Sequence, residues 1–300
     1  STIYDNNGYS VVLGGLVGEN NGTLKESRRT GGEINAFIGT IGGLVGVNSA
    51  SAQILDCYNY GNILIDPLLP NGVSVDSGLN KAEETVIGGV VGKNFGSIST
   101  ENFSAIYGTI EGQNVAQVFQ TCRGLIGGIA GTSKGTIENI TNSAFVKCTG
   151  DQVQYMGGIT AINAGTIRKC VNKGIVGADG NTEFTAKAVG GITGLNDSAS
   201  IGDGAEQLGD GKIYGVENKA DTGININAEN AGGIAGINAS TGNITSYEAG
   251  AVAGVVRNLG NVQGTSAVGG IVGKNYGTVE YVYNTTNISC ASNADSASVG

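Results

Sequence analysis

The chain contains no histidine, and this absence narrows the chemistry open to it. Ser-His-Asp and Cys-His triads are excluded, as are imidazole-based metal sites. Carboxylates, a few cations and five thiols remain. Two stretches hold several acids each. Asp66, Asp76, Glu83 and Glu84 lie within 64–85, together with both prolines, Pro67 and Pro70. Asp197, Asp203, Glu206 and Asp210 lie within 197–212, interspersed with glycine. Hard oxygen ligands in a Gly-rich loop are what Ca²⁺ takes, so Asp197, Asp203 and Asp210 form a candidate calcium site. Their spacing is not that of an EF-hand, and the Gly-Gly-x-Gly-x-Asp calcium repeat is absent. The competing reading of both stretches is a solvated surface loop, with 64–85 the better candidate for a loop that binds something.

Catalysis finds less support. Glycoside cleavage would need paired carboxylates at a fixed separation, and the acids are scattered among turn-like segments. Lyase-type chemistry would draw on Arg123, Arg168 and Lys169, but nothing in the sequence gathers them. No catalytic residue is assigned, no cofactor is required, and an enzyme is not expected. The cysteines, Cys57, Cys122, Cys148, Cys170 and Cys290, are odd in number and contain no CxxC spacing. They imply neither a zinc site nor a full disulfide framework. Cys57, Cys148, Cys170 and Cys290 sit beside apolar strand residues and read as buried thiols, with a disulfide between neighbouring repeats as the alternative.

Composition then bounds the scaffold. Glycine accounts for 54 of 300 residues, against a usual share of about 7%, while proline accounts for only 2, which excludes collagen. Hydrophobic residues make up 40%, enough for a core, but charged residues only 14%. Asn, Ser, Thr and Gly must therefore form the polar surface. The net charge is −9 and the longest basic run is Arg28–Arg29, so nucleic acid is not an expected partner. No apolar run approaches the ~18 residues of a membrane span, and insertion into a membrane is not expected. The opening residues, Ser1-Thr2-Ile3-Tyr4, do not read as a signal peptide, as in a mature or truncated form.

Internal repetition supplies the elements that position these residues. A pattern Gly-Gly-aliphatic-x-Gly-x-Asn, followed by Gly-Thr-aliphatic, starts at Gly14-Gly15, Gly42-Gly43, Gly88-Gly89, Gly127-Gly128, Gly157-Gly158, Gly190-Gly191, Gly232-Gly233 and Gly269-Gly270. Its columns include Asn20, Asn48, Asn94, Asn163, Asn196, Asn238 and Asn275, interrupted by Ser133, and an aliphatic column running from Leu24 and Ile54 through Ile167 and Ile201 to Val279. Val299-Gly300 reads as the start of a ninth copy. Short apolar segments between Gly and Asn turns are strand signals. Each copy reads as two or three short strands, a third following at Gly61 to Ile65, Gly108 to Ile110, Gly174 to Val176, Gly223 to Ile226 and Asn261-Val262. Stretches such as Ile137-Glu138-Asn139-Ile140 read as alternating strand. A single copy cannot bury its apolar face, whereas a stack can.

The expectation is an all-β, right-handed parallel β-helix of about eight rungs, one domain over 1–300, with insertions near 64–85 and 197–212. Rungs ~4.8 Å apart give a rod of roughly 40 Å. Its Asn residues form a ladder and tolerate left-handed turns, and its paired glycines allow a tight corner. The Thr or Ser column (Thr23, Ser97, Thr136, Thr166, Thr278) reads as an outward turn position rather than an ice-binding array. The Asn-x-Ser/Thr sequons at Asn21, Asn139, Asn243 and Asn284 follow from composition.

Gly43-Leu44-Val45-Gly46 and Gly15-Leu16-Val17-Gly18 resemble the GLUG repeat. Its longer form is similar to Gly-Gly-Leu-Val-Gly-x-Asn-x-Gly-x-Ile-x-x-Cys, with Cys57 and Cys170 near the cysteine position. The likeness covers nearly the whole chain apart from the insertions. It implies a secreted or cell-surface bacterial setting, as in adhesin-like proteins and the non-catalytic regions of IgA-peptidase-like enzymes. Their His-Glu-x-x-His motif cannot occur here. The expected function is a structural or adhesive repeat domain, a stalk or binding surface for a host or matrix glycan or protein. The alternatives are an extracellular filament subunit stacking end to end, and a glycan-active β-helix enzyme.

Overall fold

The computed structural model of the chain describes residues 11–36, 39–65, 85–106, 109–112, 124–148, 153–178, 185–197, 210–291 and 298–300. Among them every regular element is a β-strand, and nearly all strands join four long parallel sheets. The first sheet holds the strands that run into the Gly pairs, Val11–Gly14, Gly39–Gly42, Val86–Gly88 and onward to Ala267–Gly269, with Ser298–Val299 as its ninth strand. The second holds eight strands from Val17–Asn20 to Val272–Asn275, each ending on the Asn column. The third runs from Thr23–Lys25 to Thr278–Glu280 and includes short segments such as Val171–Asn172 and Val282–Asn284, for twelve strands in all. The fourth holds eight strands from Glu33–Ala36 to Ile288–Cys290. Each rung takes a strand from each sheet, the later rungs giving the third sheet two, and successive rungs stack in parallel, which is a β-solenoid.

Like residues align along the stack. Gly14, Gly42, Gly88, Gly127, Gly157, Gly190, Gly232 and Gly269 form one register column. Asn20, Asn48, Asn94, Ser133, Asn163, Asn196, Asn238 and Asn275 form another. Backbone bonds between rungs continue through the corners, as in Leu16 N to Leu44 O and Leu44 N to Val90 O, both 2.9 Å. Two apolar columns fill the interior. Leu13, Ile41, Ile87, Ile126, Met156 and Val189 of the first sheet meet Ile34, Ile63, Val146 and Val176 of the fourth. Val45 and Val91 of the second sheet and Leu44, Ile129, Ile159 and Ile192 beside it meet Ile54, Ile137, Ile167, Ile213 and Ile244 of the third. A smaller cluster joins Val86, Leu125, Tyr155 and Ala188 to Ile162 and Leu195.

Four details depart from the sequence reading. A rung has more than three strands, because the residues before the Gly pair form a sheet of their own. The third repeat strand is present but offset by one or two residues, beginning later at Asn62–Ile65, Thr109–Gly112, Val176–Ala178 and Val262–Gly264 and one residue earlier at Thr222–Ile224, and Gly108 lies outside the described residues. The aliphatic column is filled by Ile213, which pairs with Ile167 and Ile244. Ile201 lies outside the described residues, and the longer insertion displaces its expected role.

The fourth departure concerns left-handed backbone, which falls on the residue two after the aliphatic one rather than on the ladder asparagines. Glu26, Asp56, Asn139, Lys169, Gly215 and Tyr281 have φ of 49°, 50°, 56°, 51°, 53° and 52°. Ile137-Glu138-Asn139-Ile140 is therefore a corner and not an alternating strand. The αL residue turns the chain so that Ile140 points back into the same core as Ile137. Ile54 with Cys57, and Ile167 with Cys170, repeat this arrangement.

Candidate functional site

The paired glycines make a second set of side chains visible. None of the pairs has positive φ, so conformational freedom is not their purpose. A Cβ on Gly42 would run into the carbonyl oxygen of Val45, and one on Gly43 would run into Gly89 O and the Asn59 amide. The corner is tight because the backbone of the second sheet and a side-chain amide both press on it. That amide belongs to a second asparagine column, Asn59, Asn142, Asn172, Asn218, Asn258 and Asn284, two residues after the corner core position held by Cys57, Ile140, Cys170, Val216, Val256 and Val282.

Both columns are hydrogen-bonded ladders with one polarity, an Nδ2 donating to the rung that follows, and each is interrupted once: by Ser133 in the first, and in the second at the third rung, where Ile106 stands in register with Asn142 and Asn59 Nδ2 donates instead to Gly61 O and Gly89 O. In the first, Asn20 donates to Asn48 and Asn48 to Asn94, both at 2.9 Å, and Asn94 to the Ser133 hydroxyl at 3.1 Å. It continues from Asn163 to Asn196, Asn238 and Asn275 at 2.8–2.9 Å. In the second, Asn142 donates to Asn172 and Asn172 to Asn218 at 3.0 Å, and Asn218 to Asn258 and Asn258 to Asn284 at 2.8 and 2.9 Å. The interior members are buried, and several also cap their own turn, as where Gly165 N donates to Asn163 Oδ1 and Gly174 N to Asn172 Oδ1. Burial without these bonds would be costly.

The outer face of the third sheet carries the charge. Arg168 stands beside Glu138 in register, and its two terminal nitrogens reach Glu138 Oε2 at 2.7 Å and Glu248 Oε1 at 3.2 Å. Lys169 Nζ lies 3.4 Å from Glu138 Oε1. Burial pushes the Glu138 carboxyl up, but the bonds and charges of Arg168 and Lys169 outweigh it and hold the group below its ordinary range. Nearby, Glu217 binds Arg257 and Lys219, both at 2.9 Å, and is lowered for the same reasons. The structure thus gathers Arg168 and Lys169, but around carboxylates of the chain itself. Arg123 lies outside the described residues.

Glu248 belongs to the one antiparallel element among the described residues, the hairpin of Tyr247–Glu248 and Ala251–Val252. Its turn residues Ala249 and Gly250 have φ of 50° and 82°, the signs a type I′ turn requires. The hairpin sits where other rungs place a single corner residue. Tyr247 meets Tyr281 edge-on, ring centres 4.8 Å apart. Tyr276, Tyr281 and Tyr283 are 59–62% exposed, and Val252 is 68% exposed. This is the most aromatic part of the described surface.

The remaining candidates separate. Asp197 and Asp210 flank the second insertion, while Asp203 and Glu206 lie outside the described residues, as do Asp66, Asp76, Glu83, Glu84, Pro67 and Pro70. Among the described residues no three His, Cys, Asp or Glu side chains are grouped to hold a metal. Cys57 and Cys170 are free and buried, and Cys290 is free and half-buried. Burial drives the Cys170 thiol up to about 12 and raises Cys57 as well. The side chain of Cys148 and all of Cys122 lie outside the described residues. The Thr/Ser column is outward-facing and interrupted by Gln53, Lys212 and Asn243. Among the described residues no helix is long and apolar enough to cross a membrane. Comparison with known proteins finds no matching family model, curated protein or solved structure.

Proposed function

We propose that the chain is a structural and adhesive repeat domain of a secreted bacterial surface protein of the GLUG-repeat kind, a stiff support that carries binding surface on its flank. The observation behind this reading is the parallel stack of eight rungs, aligned at the Gly and Asn columns and fastened by two amide ladders. Continuous hydrogen bonding along an axis resists local opening, which suits a part that must hold its shape outside the cell. Adhesion draws on the exposed tyrosines around the hairpin. Tyr rings offer large rigid contact area at low entropic cost, and a glycan or protein of the host or matrix is the matching ligand class.

The test is a glycan and matrix-protein array probed with the wild-type chain and with Tyr281→Ala, alongside limited proteolysis. Ligands bound by the wild type and lost in the variant, on a protease-resistant core, support the reading. Rapid digestion throughout 124–290, or cleavage of an arrayed polysaccharide, would overturn it, the latter in favour of a glycan-active enzyme.

A further inference from the structure

The third sheet is split at its corner. Before the αL residue its strands pair from the first rung onward, Thr23–Lys25 with Gln53–Leu55 and these with Ser97, Ile98 and Ser99. Asp56 N still reaches Ser99 O at 3.1 Å. After the corner, Arg28–Arg29 and Tyr58–Asn59 form a two-stranded sheet of their own. The long sheet resumes one rung further on, where Ser104, Ala105 and Ile106 stand in register with Ile140, Thr141 and Asn142. From there to Val282–Asn284 each segment after the corner pairs with the next.

Two features of the third rung account for the split. Its corner is longer, with residues 100–103 set against the single Asn139 and a register shift between Ser99 and Ser104. A longer corner does not lie strand on strand over the shorter one before it. In addition, the second-ladder position falls on Ile106, and isoleucine has no amide to receive Asn59 Nδ2. That donor goes instead to Gly61 O at 3.1 Å and to Gly89 O at 2.8 Å.

Within itself the ribbon is well tied. Tyr58 N donates to Ser27 O at 3.0 Å and Tyr60 N to Arg29 O at 2.9 Å. Arg29 Nη1 donates to Asn59 Oδ1 at 3.2 Å, and the rings of Tyr58 and Tyr60 stack with centres 6.3 Å apart. Cys57 directly precedes the ribbon. It sits in the same corner column of the core as Ile140 and Cys170, and its thiol donates to Leu55 O at 3.2 Å and Leu24 O at 3.4 Å. Cys170 likewise precedes Val171–Asn172, but that segment is paired on both sides. The two thiols share a column and differ in how the following strand is held.

We infer that the ribbon of Arg28–Arg29 and Tyr58–Asn59 is a flap that opens as a unit at the third rung and draws Cys57 out to solvent, while the strands before the corner stay paired. Opening breaks the Asn59–Gly89 bond and unpacks one corner residue, and it leaves the ladders of the later rungs untouched. Local openings follow the parts with the fewest bonds to their surroundings. Nothing in this inference depends on what the flank binds.

The test reads two rates in the full wild-type chain. A detached two-stranded ribbon does not hold its own bonds, so the Tyr58 and Tyr60 amides exchange through the opening. Gln53 N, which bonds Gly22 O at 2.9 Å, also reaches back to the first rung but lies before the corner. Tyr58 and Tyr60 are expected to exchange on the order of tenfold faster than Gln53. Iodoacetamide alkylation under native conditions, located by mass spectrometry and divided by the rate in urea, is expected to favour Cys57 over Cys170 by a similar factor. Asn59→Ala, which removes the tie to Gly89, should speed alkylation of Cys57 further and leave Cys170 unchanged. Should that variant fail to fold, the wild-type rates decide alone. Equal exchange at Gln53, Tyr58 and Tyr60 would overturn the inference, since whole rungs would then be fraying from the end. So would equal alkylation of the two thiols. Neither readout involves a ligand, so the adhesive reading is tested separately.

Discussion

At the scale of single residues, the ladders make asparagine irreplaceable in a way that polarity alone does not. Asn196 receives Asn163 Nδ2 at 2.9 Å and donates to Asn238 Oδ1 at 2.8 Å and Gly211 O at 3.0 Å, fully buried. Asn196→Ala leaves a donor and two acceptors short of partners. At about 1–3 kcal/mol for each unsatisfied buried group, the expected loss is roughly 2–5 kcal/mol. Asn275→Ala at the exposed end should cost below about 1 kcal/mol. Thermal unfolding of the two variants side by side checks the contrast. Equal losses would mean that the ladder bonds carry no energy of their own.

The first ladder was legible in the sequence because it sits at a fixed distance from the Gly pair. The second was not, because it follows the αL corner, and that corner has no residue signature: Glu26, Asp56, Asn139, Lys169 and Tyr281 share a backbone conformation and nothing else. The recoverable trace is an apolar residue, a second one three positions on, and Asn two after that, as in Ile167, Cys170 and Asn172.

Cys170 shows how the same column sets a pH response. Its thiol is fully buried and raised to about 12 from an ordinary 9.0, chiefly by desolvation. Between those values the unfolded chain loses a proton that the folded chain keeps, so stability falls as pH rises, by at most about 1.4 kcal/mol per pH unit. Val occupies the equivalent position at Val216 and Val256, so Cys170→Val should cost under about 1.5 kcal/mol at pH 7. It should also flatten the decline between pH 9 and 12. Denaturant midpoints measured across that range separate the variant from the shared titration of the tyrosines. An unchanged slope in Cys170→Val would place the alkaline sensitivity elsewhere.

At the scale of elements, the Tyr247–Val252 hairpin is the part of the described structure held mainly by contacts outside the four sheets. Glu248 ties it to Arg168, two rungs back, through an ion pair whose side chains are about one-third exposed. Such a pair is worth at most about 1 kcal/mol once screened. Glu248→Gln should therefore leave global unfolding nearly unchanged while the hairpin amides exchange severalfold faster. Acid acts on the neighbouring pairs. The carboxyls of Glu138 and Glu217 lie below their ordinary value of 4.5 when folded. Their contribution is present above that value and is lost as pH falls through the lowered one. Glu138→Gln should correspondingly weaken the dependence of stability on pH below about 4.5. The sequence could not show this network, because Glu138, Arg168 and Glu248 are brought together only by rung stacking. Its spacing depends on the lengths of the insertions between them.

At the scale of the whole molecule, a rung is hydrogen-bonded to the rungs before and after it, and stability becomes a sum of rung and interface terms. The repeat in the sequence carried this architecture almost completely, since eight Gly pairs already count the rungs. The number of sheets per rung escaped because the strand before each Gly pair varies from Leu13 and Ile41 to Ala231 and Val268. A one-dimensional array makes a spatial prediction that a globular core would not. In the 300-residue chain, amide exchange should be slowest in the middle rungs, 124–178, and faster toward both ends. Asn196→Ala breaks both neighbouring steps of one ladder in the sixth rung. It should speed exchange in 185–290 more than in 39–112, because the last rungs are then joined to the remainder through a weakened interface. Hydrogen exchange read by mass spectrometry on peptides from each rung distinguishes the outcomes. A uniform rise in exchange across all rungs would mean that the solenoid unfolds as one cooperative unit, with its interfaces stronger than the span of a single defect.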